Sequence, residues 1–256
     1  MKLTEIVYYP VKSMRGIAAA EAEISQAGLP YDREWLLADT SGKFVTARKL
    51  PELLLWSAKP FSDGLTLTAP DGSSREIRTV SLNQEADVQV WKDVFSAHFG
   101  DEETDAWLSA KLGMPVRLHY LGSPSSRILP HTQTPLSFAD GAPYLLTSQA
   151  SLDAFNGMLD MPVEMRRFRP NLVIDGSSAW VEEGWKRIRI GTVEFEIFKP
   201  CVRCVMTTVD LATARKAPDQ EPLSTLAIAR NAIFGVNMTA LGNGSVSVGD
   251  EVQVLA

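Results

Sequence analysis

The chemistry-bearing residues that draw attention first are Cys201-Val202-Arg203-Cys204, a Cys-x-x-Cys pair between the extended-looking segments FEIFKP and VMTTV. A thiolate is both a nucleophile and a soft metal ligand, and an adjacent cation such as Arg203 favours the thiolate form. A thioredoxin-type dithiol would open a helix, but the β-branched run after Cys204 instead predicts a strand over Cys204–Val209. Zinc would need two further ligands, and His98, His119 and His131 show no ligand spacing to each other or to the pair. On spacing alone, two buried and inert cysteines are the simpler reading.

Several other clusters suit an anion. Arg166-Arg167-Phe168-Arg169-Pro170-Asn171 offers guanidinium forks that match phosphate oxygens, and Arg169 or Asn171 can point inward from the apolar strand that follows. Lys12-Ser13 follows a strand ending in Tyr9-Pro10 and precedes Arg15-Gly16, without the glycine spacing of a nucleotide loop. Asp32-Arg33 and Thr46-Ala47-Arg48 add further cations, and Thr147-Ser148 opens a predicted helix whose free N–H groups can hold an anion. Each cluster has an ordinary reading as well: a solvated basic edge, a surface ion pair, or a simple N-cap. No Gly-x-Ser-x-Gly elbow and no His-Glu-x-x-His occurs.

Composition narrows the field. The chain has 256 residues, and 25 Lys and Arg against 31 Asp and Glu leave a net charge of −6. An acidic chain argues against broad nucleic-acid binding, which needs a basic surface. Two cysteines cannot build a disulfide framework or a four-cysteine iron–sulfur site within one chain. The N-terminus alternates like a strand rather than a signal peptide, and no window is apolar for the roughly 18 residues that a membrane span needs. A cytoplasmic protein with reduced thiols, no nucleic-acid partner and no membrane partner is expected.

The elements that must position these residues are mostly short strands punctuated by Gly, Pro, Asn and Asp. Strands are expected at Leu3–Tyr9, Ala20–Ile24, Glu34–Asp39, Lys43–Thr46, Leu65–Ala69, Arg75–Val80, Asp87–Trp91, Val116–Tyr120, Asn171–Ile174, Arg187–Ile190, Val193–Lys199 and Val252–Leu255. Thr40-Ser41-Gly42 reads as a hairpin loop, and Gly191-Thr192 as a tight turn. Helices are expected after Asp101, Ser148 and Pro222, the first with acidic residues at its positive end. The seam falls in the Pro/Ser stretch 122–126, which divides the chain into an N-terminal β-rich lobe, 1–121, and a C-terminal lobe, 122–256. The fold class is mainly β with some α.

Taken in order along the chain, YPVKSMRG from Tyr9, DREWLL from Asp32, FVTARKLPEL from Phe44 and DGAPYLLTSQASLDAFN from Asp140 resemble one known family. RFRPNLVIDG from Arg167, the W-x5-G-x-V-E-F-x4-PCVRCVMTTVD segment from Trp185 and the closing GDEVQVL extend the match over nearly the whole chain. The sequence is similar to the MOSC family with its N-terminal MOSC-associated β-barrel domain. Within it, the resemblance is to the branch holding the bacterial YcbX-type proteins and the mitochondrial amidoxime-reducing component.

That resemblance implies a C-terminal MOSC barrel of the pyruvate-kinase-β-barrel type and a molybdenum cofactor (molybdopterin). The activity it implies is oxidoreductase, on small N-hydroxylated substrates. It makes Cys204 the catalytic residue and molybdenum ligand, with Cys201 a neighbour. Lys12, Ser13, Arg33, Arg169 and Asn171 would hold the anionic pterin and its phosphate, with Thr147 and Ser148 in a loop near it and Arg48 beside them. At family level the label of pyridoxal phosphate binding also attaches. Some bacterial relatives continue into a four-cysteine ferredoxin-type domain. This sequence ends at Ala256, so an external donor, a ferredoxin- or flavoprotein-type reductase, is expected. Leu211 and Thr213-Ala214 depart from the family's Pro and Thr-Gly, so the loop 211–222 is expected to differ. MOSC domains also end cofactor sulfurases, so a sulfur carrier using a cysteine persulfide is the alternative. A non-catalytic β-barrel binding module is a third reading.

Overall fold

In the computed structural model, which describes every residue except Ser123, Pro124 and His131, the first strand of the chain lies in the same sheet as the last. Leu3–Tyr8 buries Leu3, Ile6 and Val7 and pairs antiparallel with Leu172–Ile174 on one side and Ile17–Ala19 on the other. The eight-stranded sheet then runs from Leu172–Ile174 through Tyr144–Ser148, Ile233–Ala240, Val193–Val202 and Arg187–Ile190 to Val252–Val254. Leu172–Ile174 and Tyr144–Ser148 pair in parallel. Its core packs Leu3 and Ile6 with Ile174, Ile188, Phe195 and Met238.

The expected C-terminal barrel is therefore a curled sheet that borrows two N-terminal strands, and its ladder is not closed. A β-bulge between Leu3 and Glu5 bends the first strand, so that Met1 to Leu3 turn toward the opposite edge. There Leu3 N–H donates to the Asp250 carbonyl at 2.9 Å and Val252 N–H to the Met1 carbonyl at 2.8 Å, a local meeting around one Lys2–Glu251 bridge.

The N-terminal lobe contains a four-stranded sheet, Trp35–Ala38, Arg117–Tyr120, Asp93–Phe99 and Gln84–Val90, and a three-stranded meander, Ser57–Phe61, Gly64–Thr68 and Ser74–Arg78. Glu21–Ile24 pairs with Gly244–Ser247, again tying early chain to late. Residues 43–46 form bridges to Ala38 and Gln89 rather than the expected strand, because the Asp39 carboxylate captures Ser41 and Lys43 N–H and tightens the turn.

Three α-helices are present among the described residues, Glu102–Leu112, Gln149–Asn156 and Leu223–Arg230, so the chain is mostly β. The Asp101 carboxylate accepts from Thr104 N–H at 2.9 Å, a working N-cap. Ser148 occupies the cap position of the second helix but makes no side-chain cap bond. Among the described residues, no helix is long and apolar enough to cross a membrane. The expected seam at 122–126 falls partly on Ser123 and Pro124, and His131 likewise lies outside the described residues.

The expected strand Cys204–Val209 is the clearest difference. Val205–Thr208 is a single 3₁₀ turn, in which the Thr207 hydroxyl donates to the Cys204 carbonyl at 3.0 Å and the Thr208 hydroxyl to that of Val205 at 2.8 Å. Local hydroxyl-to-backbone bonds override the β preference of the branched side chains.

Candidate functional site

The longest strand, Val193–Val202, carries the cysteine pair to the site. Its register against Ile233–Ala240 slips between Ile197 and Lys199 and again between Pro200 and Val202. Such bulges re-aim side chains, and here Lys199, Pro200, Cys201 and Val202 all line one cleft of about 440 Å3. The same cleft is lined from the N-terminal lobe by Lys12, Ser13, Arg33, Arg48 and Trp91. Seven of its lining residues are cations (Lys12, Arg33, Arg48, Arg167, Arg169, Lys199 and Arg203), and Asp140 is the one carboxylate among them. In a chain of net charge −6 this is a strong local concentration of positive charge.

Tyr9 is the platform for two of these cations. The guanidinium of Arg169 lies 4.0 Å from its ring centroid and that of Arg33 lies 4.4 Å away, while its hydroxyl donates to the Pro170 carbonyl at 3.1 Å. Arg33 pairs with Asp32 and donates to Asn171 Oδ1 at 3.1 Å, and Arg169 donates to the Met14 carbonyl at 2.7 Å. Asn171 is held in turn by Leu145, whose N–H donates to its Oδ1 at 3.2 Å. Burial, then the neighbouring charge of Arg33, pushes Arg169 down to about 10. Burial pushes the Tyr9 phenol up to about 12, so it stays protonated.

Ser13, Arg33, Trp91 and Arg169, all in the cleft lining, have φ of +70°, +54°, +58° and +52°. Left-handed backbone at non-glycine residues is costly, and its concentration at one site points to function.

The cysteines are separated by their partners. Arg203, expected to serve the pair as a whole, donates to Cys201 Sγ at 2.8 Å and to the Phe168 carbonyl at 2.6 Å. Cys204 instead lies within the electrostatic reach of Arg48, which also donates to Asp140 at 2.9 Å. Burial works against the Arg48 charge, but Asp140 and Cys204 hold it above the ordinary arginine value.

Cys204, Lys12, Ser13, Arg33, Arg48, Arg169 and Asn171 thus share one cleft, whereas Thr147 and Ser148 do not line it. Both are fully buried in the strand Tyr144–Ser148. The Thr147 hydroxyl donates to Met165 Sδ at 3.2 Å, and Ser148 Oγ has no partner. Their strand instead places Leu145, which holds Asn171. Asp140, Trp91 and Lys199 were not singled out from sequence. Asp140 opens the DGAPYLLTSQASLDAFN motif, but nothing in the residue pattern near Trp91 announces its position at a hairpin tip facing the cleft.

A two-lobed, mostly β protein with a cation-lined, thiol-bearing cleft is the class that this fold and site define. Residues 1–115 match the MOSC N-terminal beta barrel domain and residues 133–253 match the MOSC domain. The chain is 31% identical to mitochondrial amidoxime-reducing component 1 of Mus musculus, over 99% of this chain and 82% of that protein. It is 32% identical to molybdenum cofactor sulfurase of Oryza sativa subsp. japonica over 91% of this chain, but spans 32% of that protein's length. The YUAD protein from Bacillus subtilis superposes with a TM-score of 0.48 at 10% identity, covering 98% of this chain and 93% of that one. The chain belongs to the MOSC family, with a MOSC N-terminal β-barrel domain ahead of its MOSC domain.

Proposed function

We propose that the cleft seats a molybdopterin-type cofactor through Cys204, and that the chain reduces small N-hydroxylated compounds with electrons from a separate ferredoxin- or flavoprotein-type donor. The observation that carries this reading is the lining itself, seven cations and an accessible thiol in one cleft of about 440 Å3. The residues present fit the group. A dithiolene-bound metal takes one further soft thiolate, and a pterin with a phosphate takes guanidinium forks, an ammonium and an amide. The relatives named for amidoxime reduction and for the molybdenum cofactor support the same assignment.

In this reading Lys12, Ser13, Arg33, Arg169 and Asn171 hold the anionic end, and Cys204 is the ligand to the metal. When bound, the cofactor supplies two-electron chemistry able to accept an oxygen atom. The net reaction takes N–OH with two electrons and two protons to N–H and water. Arg48 neutralises negative charge at Cys204, and Tyr9 fixes Arg33 and Arg169 so that little reorganisation is needed on binding. Arg167 ties the 3₁₀ turn to the loop behind it, donating to Asp210 at 3.1 Å.

The alternative, a sulfur carrier with a persulfide on Cys204, draws on the match to the sulfurase. Metal analysis and pterin fluorescence on protein made in a cofactor-competent host test the first reading. Cyanide-releasable sulfur without molybdenum would favour the second.

A further inference from the structure

Asp140 is a carboxylate where an anion site should have none. Half of its side-chain surface is open, yet its oxygens are fully engaged. Lys12 Nζ lies 2.5 Å from Oδ1, Arg48 Nη2 lies 2.9 Å from Oδ2, and the Trp91 indole N–H donates to Oδ1 at 3.1 Å. Its backbone is equally fixed. Arg127, 7% exposed, donates to the carbonyls of Ser137 at 2.9 Å, Ala139 at 2.5 Å and Asp140 at 3.4 Å. The same guanidinium pairs at 2.8 Å with Asp93, at the hairpin tip that presents Trp91.

Lys12 is only 5% exposed. It faces the Phe138 carbonyl at 2.6 Å, the Phe44 ring at 5.5 Å, the carboxylate of Asp140 and the cations Arg48 and Arg127. Burial pushes it down to about 8, the two arginines push the same way, and Asp140 is the charge that holds it up. Removing that charge would leave a buried lysine between two arginines: the Phe138 carbonyl and the Phe44 ring would still favour the ammonium, but burial and both arginines would favour loss of its proton near neutral pH.

We propose that Asp140 is a positioning residue of the cleft: its carboxylate keeps Lys12 protonated and aimed at the anion, and aligns Arg48 beside Cys204. The inference rests on the reading of the cleft as the seat of an anionic cofactor. A carboxylate there costs some repulsion with the anion, and in return two cations are present and ordered before it arrives.

The test uses cofactor-free protein with 13C-labelled lysine, following the Lys12 resonance from about pH 5 to 10, beside isotherms for inorganic sulfate, whose charge is constant over that range. Asp140→Asn should lower the Lys12 titration by more than about one unit. Its sulfate affinity should equal or exceed wild type near pH 5 and fall about tenfold by pH 7.5, while wild type stays nearly flat. Lys12→Arg added to Asp140→Asn should restore the flat profile, since a guanidinium keeps its charge. Should Asp140→Asn not fold, Asp140→Glu decides: a wild-type Lys12 titration supports the proposal and a lowered one overturns it. An unchanged Lys12 titration in Asp140→Asn, or a sulfate loss equal at every pH, also overturns it. If Lys12 responds as stated but no pterin is ever retained from a competent host, the role of Asp140 stands and the cofactor reading falls.

Discussion

Arg203 Nη1 lies 2.8 Å from the sulfur of Cys201, a residue two positions before it, rather than from that of its immediate neighbour Cys204. The strand Val193–Val202 ends between them and the chain turns into a 3₁₀ helix, which carries Cys204 toward Arg48 from the other lobe. The two thiols therefore have different cations and different surroundings.

That difference makes substitution of the cysteines asymmetric. Cys204→Ala should abolish molybdenum retention, because metal binding needs a deprotonated soft ligand. Cys201→Ala should retain most of it and cost about 1 kcal/mol of stability, the scale of a small truncation. Metal content per protein, beside a denaturation curve, decides the matter. Retention by Cys204→Ala with loss in Cys201→Ala would reverse the ligand assignment.

Tyr9 should separate platform from hydrogen bond. Tyr9→Phe keeps the ring under Arg33 and Arg169 and leaves the Pro170 carbonyl unpaired, a loss of about 1 kcal/mol with anion binding preserved. Tyr9→Leu removes the aromatic face as well, and should cost roughly 2–4 kcal/mol and weaken sulfate binding several-fold. Equal sulfate affinity in the two variants would show that the ring does not organise the arginines.

Gly16 backs the same ring. A Cβ there would lie 2.4 Å from Tyr9 Cε1 and 2.8 Å from Val7 Cγ1, both in packed positions. Gly16→Ala should destabilise by roughly 1–3 kcal/mol, the range for overpacking. Because the ring must shift, sulfate affinity should fall with it, and titration calorimetry on the folded variant would show whether it does.

His119 should shape the acid side of the stability curve. It is 2% exposed, its Nδ1 has no partner, and burial with the nearby Arg117 charge pushes it down to about 4. The unfolded chain takes up this proton near 6.5, so between about 6.5 and 4 the unfolded state binds more protons and stability falls as pH falls. The loss attributable to His119 approaches roughly 3 kcal/mol by pH 4. Asp105, partly buried and pushed up to about 6 chiefly by that burial, works in the opposite direction, so the informative measurement is a difference curve. Wild type minus His119→Leu, from urea unfolding at several pH values, should be flat above about pH 7 and steepen below it. A difference independent of pH would mean that folding leaves the His119 titration where the unfolded chain has it, and a difference of opposite slope would mean that the fold keeps His119 protonated.

From sequence alone, the β-rich pattern, the working Asp101 cap and the anion-suited character of Lys12, Arg33, Arg48, Arg169 and Asn171 are legible. Those follow from side-chain chemistry and from two-residue periodicity, which are local properties. Other features belong to the tertiary structure. The borrowing of Leu3–Tyr8 by the C-terminal sheet depends on pairing between residues 166 apart or more, to which a local pattern is blind. The 3₁₀ turn at Val205–Thr208 was decided by two hydroxyl-to-carbonyl bonds that compete with β propensity. Thr147 and Ser148 have the right chemistry for an anion but are sealed behind the strand that carries them. Cys204 receives Arg48 rather than Arg203, and Asp140 becomes the shared counter-ion of Lys12 and Arg48, because folding brings charges from both lobes into one partly dehydrated cleft. There the nearest opposite charge in space, rather than in sequence, sets each group's state.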